Sequence, residues 1–270
     1  IAFAPYFGEY RSYTNNYDGV LVEISPNTVD FQPKLDEFEQ KITSKTKAVI
    51  VNNPNNPTGV VYSEETIKKL AAIMEAKQKE FGTDIVLISD EPYRELVYDD
   101  IDVPYMINYY DNTFVCYSYS KALSLPGERI GYIVVSNKMV DSKDAYAAVC
   151  GAGRVLGYVC APSLFQKVIE RCIDDTADIS IYKTNRDLLY NSLTEMGFEC
   201  VYPDGAFYLF VKAMEDDAKA FCEKAKEQEL LLVPADSFGT PGYVRVSYCV
   251  QTEQIERALP AFKKLADSYK

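Results

Sequence analysis

The sequence has 270 residues and a mass of 30.5 kDa, which at roughly 150 residues per domain leads us to expect two units. With 47% apolar and 25% charged residues it has the balance of a globular protein, which excludes a disordered, collagen-like or low-complexity chain. Its 28 basic and 40 acidic residues give a net charge of −12, a field that repels phosphate backbones and excludes nucleic acid as the main partner.

Lys47-Ala48-Val49-Ile50-Val51 predicts a buried strand, and the Asn/Pro/Gly stretch from Asn52 to Gly59 closes it. The spacing of Ile67, Leu70, Ala71 and Met74 predicts a helix that starts near a Ser63 cap, places Glu64 and Glu65 at the positive end of its dipole, and stops at Gly82. Asp84 to Ser89 and Thr113 to Tyr117 predict two further strands. Continuous apolar strands separated by helices or long crossovers point to a parallel sheet covered on both faces. The second half predicts one long helical region from Ser163 to about Met196 with Gly197 as its stop, then strands from Phe198 to Tyr202 and from Ala206 to Val211. Ala218, Phe221, Cys222 and Ala225 mark an amphipathic helix, Tyr243 to Cys249 a strand, and a last helix follows a Thr252 cap, with Pro260 expected to kink it. The expected organisation is an α/β domain over residues 1–160 and an interdomain helix with a smaller α+β domain over residues 161–270, without internal repeat or flexible linker.

Seven scattered cysteines without a C-x-x-C pair, and no permitted N-x-[ST] site, suggest a reduced, intracellular protein, and we expect a cytoplasmic one. The absence of histidine excludes Ser-His-Asp triads, Cys-His dyads and His-ligated metals, and no metal site is expected. No apolar run approaches the roughly 18 residues of a membrane span, so no membrane partner is expected. No signal peptide is recognisable, and the chain opens with Ile1 rather than Met, which suggests a longer parent.

Ligand sites in open parallel sheets lie beyond the carboxyl ends of the strands, and three successive predicted strands end in polar clusters. They are Asn53-Pro54-Asn55-Asn56-Pro57-Thr58-Gly59, Ser89-Asp90-Glu91-Pro92-Tyr93, and Tyr117-Ser118-Tyr119-Ser120-Lys121 followed by Leu125 to Tyr132. Singly they read as a turn, a helix cap and a solvated lysine. In order, on adjacent sheet elements, they read as a site.

With NPNNPTG (53–59), SDEPY (89–93), SYSKALSLPGERIGY (118–132) and the late arginine of YVRVS (243–247), the sequence resembles the class I/II aminotransferases, pyridoxal-phosphate enzymes of fold type I, over essentially its whole length. The resemblance implies a three-layer α/β/α large domain, mostly of parallel sheet, followed by a smaller α+β domain. It also implies pyridoxal 5'-phosphate as cofactor, amino-acid and 2-oxo-acid substrates, and a homodimer. It makes Lys121 the Schiff-base lysine that, once displaced, moves a proton as general base and acid. Asp90 becomes the carboxylate beside the pyridine nitrogen, and Asn56 and Tyr93 the hydrogen-bonding pair on the phenolic oxygen. Ser118, Ser120 and Arg129 fall where the phosphate is held, Phe7 where an aromatic ring stacks on the cofactor, and Arg245 where the substrate α-carboxylate is clamped, with Asn56 beside it.

On the residues alone, Tyr93 and Phe7 also read as packing aromatics and Arg245 as half of a structural ion pair. Arg154 reads either as a partner for a distal substrate carboxylate or as a solvated loop residue, and Cys160 as a packing residue or a reactive thiol. The resemblance further implies a segment ahead of Ile1 with a glycine-containing phosphate loop, which Gly151-Ala152-Gly153-Arg154 comes too late to replace. Two other activities share these motifs: a β-elimination lyase of the same fold, and the effector-sensing module of a transcription regulator.

Overall fold

The computed structural model describes residues 1–270. The first part runs β1 (Ala2–Phe3), α1 (Glu9–Asn15), β2 (Glu23–Ile24), α2 (Leu35–Lys41), β3 (Ala48–Asn52), α3 (Glu64–Phe81), β4 (Val86–Asp90), β5 (Thr113–Ser118), α4 (Tyr119–Ala122), β6 (Gly131–Val135) and α5 (Ser142–Val155). The second runs α6 (Ser163–Cys172), α7 (Ser180–Glu195), β7 (Tyr208–Lys212), α8 (Ala218–Glu227), β8 (Val233–Pro234), β9 (Tyr243–Ser247) and α9 (Thr252–Asp267).

Six strands form one sheet in the order β2-β1-β3-β4-β5-β6. Its pairings are parallel except the last, β5 with β6. The second sheet, β7-β9-β8, is antiparallel. Val49, Val51, Leu87 and Ile24 of the first sheet bury against Phe38 of α2 and Ile67, Leu70, Ala71 and Met74 of α3. Around the second sheet, Leu209, Val211, Val244 and Val246 pack with Leu189 and Leu193 of α7, Phe221 and Ala225 of α8, and Phe262 and Leu265 of α9. Each core takes residues from the other half of the chain: Phe210 and Phe238 belong to the first, and Tyr93, Leu96 and Tyr98 to the second.

Helix α3 follows the sequence closely. The Ser63 hydroxyl accepts from the Thr66 N–H at 3.1 Å, and Gly82 ends the helix at φ 63°. Other expectations need correction. The region from Ser163 to Met196 is two helices, because the stretch 173–179 carries three aspartates, poor helix formers, one of which takes a backbone donor for itself. There Asp178 Oδ1 takes the Ser180 N–H at 2.9 Å, and Ala177 N–H turns to Ala122 O at 2.6 Å. Residues 198–202 make only an isolated bridge, Cys200 to Val211, and Ala206 stands at φ 57°, so the ladder starts at Tyr208. The cap of α9 is Gln251, in reciprocal bonds with Gln254, while Thr252 Oγ1 donates to Asn185 at 2.7 Å. Helix α9 persists through Pro260, which sits on its exposed side while Ile255, Phe262, Leu265 and Ala266 bury the opposite face.

Candidate active site

Parallel pairing sets the ends of the central strands level: Asn52 lies opposite Asp90, and Asp90 opposite Cys116. The polar cluster after each strand therefore emerges at the same edge. The first folds back on itself. Asn52 Oδ1 accepts the Asn56 N–H at 2.6 Å while its amide donates to Asp90 O at 2.8 Å, so β3 and β4 are tied at the position where each leaves the sheet. Asn55 Oδ1 receives the Thr58 hydroxyl at 2.8 Å, which completes a fully buried turn.

From that edge the groups form a continuous chain of contacts. Asn56 Oδ1 accepts from the Arg245 guanidinium at 2.9 Å. Arg245 comes from β9 of the second sheet, half-buried between Val244 and Val246, which point into the core as the strand alternation requires. Its guanidinium lies 4.3 Å from the Tyr208 ring centroid and 5.1 Å from that of Phe238. The Tyr208 and Tyr93 hydroxyls are 3.4 Å apart. Lys121 Nζ stands 5.7 Å from the Tyr93 ring and 5.1 Å from the Phe207 ring. Burial holds the Lys121 ammonium below its ordinary range, with the Arg245 charge acting in the same direction and Cys249 against it.

Lys121 sits in α4, the single helical turn whose cap is Ser118, and Ser118 Oγ in turn donates to Ser120 Oγ at 2.7 Å. Ser118, Ser120 and Arg129 line one open hollow. Arg129 is exposed at φ 52° and donates to Pro126 O at 2.7 Å, within its own turn, so its charge has no direct contact with the serines. Asp90 ends β4, beside the strand β5 that leads into the Lys121 turn. Burial, with Glu91 adding to it, pushes its carboxyl up to about 6, against a hydrogen bond from Tyr10. Phe7 reaches this group through Tyr10, whose ring it meets edge to face at 5.8 Å.

Seven of the residues singled out from sequence are thus joined or adjacent: Lys121, Asp90, Tyr93, Asn56, Arg245, Ser118 and Ser120. Phe7 and Arg129 stand at the margins. Arg154 is helical rather than in a loop, at the last turn of α5, and lines the same hollow as Arg129 instead of approaching Arg245. Tyr10, Asn52, Phe207, Tyr208 and Phe238 were not anticipated. Asn52 carried a signal, a polar residue closing an apolar strand, whereas the aromatics carry none beyond their type.

The donor set suits pyridoxal phosphate. No salt bridge of the structure involves Asp90, Lys121, Arg129 or Arg245, and for the desolvated Asp90 carboxyl and the half-buried Lys121 and Arg245 the want of a counter-ion is costly. An amine, a carboxylate, a pair of hydroxyls with an arginine, and a second arginine are the groups that a pyridinium aldehyde with a phosphate, together with an amino-acid carboxylate, would neutralise.

Comparison with known proteins agrees. The model of the family "Aminotransferase class I and II" matches residues 1–262. The chain is 35% identical over 248 residues to an aspartate aminotransferase of Thermotoga maritima, covering 88% of this chain and 61% of that protein. To a probable aspartate aminotransferase of Methanocaldococcus jannaschii it is 33% identical, covering 97% of this chain and 69% of that one. Among solved structures, an aminotransferase of Eubacterium rectale superimposes with a TM-score of 0.97 at 59% identity, over 100% of this chain and 68% of that chain. The aspartate aminotransferase of Thermotoga maritima does so with a TM-score of 0.86 at 29% identity, over 98% and 69%. The chain spans about three-fifths to two-thirds of the length of these relatives, and over that span it belongs to the class I and II aminotransferase family.

Proposed function

We propose that the protein is a pyridoxal-phosphate-dependent aminotransferase that exchanges an amino group between an L-amino acid and a 2-oxo acid. The observation that carries this reading is the pairing of Lys121, its amine depressed by burial between two aromatic rings, with Arg245, a guanidinium free of any carboxylate, in one connected cluster. Bound pyridoxal phosphate supplies an electron sink that stabilises negative charge at the substrate Cα. Lys121 would hold the cofactor covalently and would move the proton at the substrate Cα as base and acid; an amine below its ordinary pKa is suited to both tasks. With the cofactor bound, Asp90 would keep its pyridine nitrogen protonated, Tyr93 and Asn56 would hydrogen-bond its phenolic oxygen, and Phe7 would supply the aromatic face against its ring. Ser118, Ser120 and Arg129 would hold the phosphate, and Arg245, which now donates to Asn56, would hold the substrate α-carboxylate in a two-pronged contact.

Several relatives are named for aspartate, aromatic amino acids or prephenate, so substrates of this range are the ones to try first. The same reading has the protein acting as a homodimer in the reducing cytoplasm. Its seven cysteines are all free, and no helix is long and apolar enough to cross a membrane. The test is chemical. Protein with pyridoxal phosphate should absorb in the visible range, and borohydride should fix the cofactor on the peptide containing Lys121. A label on Lys138 or Lys143 instead would overturn the assignment.

A further inference from the structure

Tyr10 is the one buried residue of α1. Its hydroxyl donates to Asp90 Oδ2, and Thr14 Oγ1, one turn on, donates to its carbonyl at 2.8 Å. Its ring meets the Phe7 ring at 84° and stacks on Tyr6 with centroids 6.3 Å apart. One side chain therefore touches both the carboxylate and the aromatic ring placed against the cofactor above.

We infer that Tyr10 is a positioning residue for the cofactor site, its hydroxyl fixing the orientation and the charge of Asp90 while its ring holds Phe7 in place. The inference rests on the proposed seat of pyridoxal phosphate against Asp90. The groups around Asp90 single out Tyr10. Glu91 follows it in the chain, Cys116 faces it from β5, and Tyr93 and Tyr13 approach from the loop after β4 and from α1. These are all acids, and no cation is among them. From β3, Asn52 takes the backbone carbonyl of Asp90 and leaves the carboxylate alone. The Tyr10 O–H is thus the one side-chain donor on the carboxylate, engaging Oδ2 and leaving Oδ1 without a protein partner. A hydrogen bond to the charged form favours it, and this bond opposes the upward push of burial.

The test is a double-variant cycle on the dissociation constant of pyridoxal 5'-phosphate, read by visible absorption across a pH series. Tyr10→Phe keeps the ring, and with it the contact to Phe7, and removes only the donor. It should weaken cofactor binding about ten- to hundredfold, as expected for a hydrogen bond to a charged group, and move the acid limb of binding to higher pH. In an Asp90→Asn background the same change should alter binding by less than about twofold, because the hydroxyl acts through the carboxylate. Equal losses in both backgrounds, or no loss with the acid limb unmoved, would overturn the role of Tyr10, and the cofactor seat would still stand if Asp90→Asn alone weakened binding. Normal binding by Asp90→Asn would overturn that seat and the inference together.

Discussion

Asp90 illustrates how a single residue trades stability for chemistry. Its carboxyl is pushed from 3.8 up to about 6, chiefly by burial, so the folded protein holds that proton more tightly than the unfolded chain does. The resulting penalty is absent below about pH 4, grows as pH rises toward 6, and is constant above. In cofactor-free protein, Asp90→Asn should therefore be the more stable form at about pH 8, by no more than about 3 kcal/mol, and the advantage should shrink by about pH 4.5. Urea midpoints of both proteins at the two pH values check this, and an advantage that does not change with pH would refute it. Residues of this kind were legible in the sequence because a charge closing an apolar strand needs a reason. Tyr10 was not, since it is one of 22 tyrosines and its importance comes from meeting a residue 80 positions away. Phe207 and Tyr208 were hidden likewise, as aromatics at the start of an apolar run whose partners Lys121, Tyr93 and Arg245 only the tertiary fold supplies.

Among the elements, those with a complete local signal were the predictable ones. Helix α3 has a cap, a dipole-matched first turn, an apolar stripe and a glycine stop, all in agreement. The two-residue strands β1, β2 and β8 have no periodicity to detect, and α5 has no buried residue to mark a face. Strand β6 pairs antiparallel at the sheet edge with Gly131, Tyr132 and Ile133 exposed, so the burial pattern that marks its neighbours is missing there. In α9 a negative local signal was outweighed by packing. The apolar face of the helix holds it in place, and the group that Pro260 leaves without a donor, the Glu256 carbonyl, belongs to an exposed residue. Pro260→Ala restores that backbone bond and should stabilise the protein by up to roughly 3 kcal/mol. Chemical denaturation measures the gain, and an unchanged midpoint would mean that the helix has already adapted its backbone to the proline.

At the scale of the molecule, a seam of backbone hydrogen bonds between loops joins the two halves beside the side chains that cross between their cores. Gly205 N–H donates to Gly59 O at 2.8 Å, Ala206 N–H to Leu96 O at 2.8 Å and Tyr98 N–H to Asp204 O at 2.9 Å, while Asp204 Oδ2 accepts the Val61 N–H at 2.9 Å. Beside it the fully buried Arg186 of α7 donates to Asp99 at 2.7 Å and to Pro203 O at 3.0 Å. The seam tolerates no extra atom at Gly59, where φ is 74° and a Cβ would lie 2.5 Å from Pro203 Cβ and 2.7 Å from Gly205 O. Gly59→Ala should cost at least about 2 kcal/mol from its backbone strain alone, and it should also weaken pyridoxal phosphate and substrate binding, because Asn56 and Arg245 sit on opposite sides of the joint. A variant with normal stability and binding would show the joint to be looser than drawn.

The Asn56–Arg245 bond closes a loop of 189 residues. Contacts of that sequence separation are the last to repay their entropic cost as a chain folds. During synthesis the lysine, the carboxylate and the serine pair can all be in place before the arginine strand has been made. A half-finished chain could then capture a cofactor well ahead of any ability to grip a substrate, and ligand-binding competence would arrive in two separate instalments.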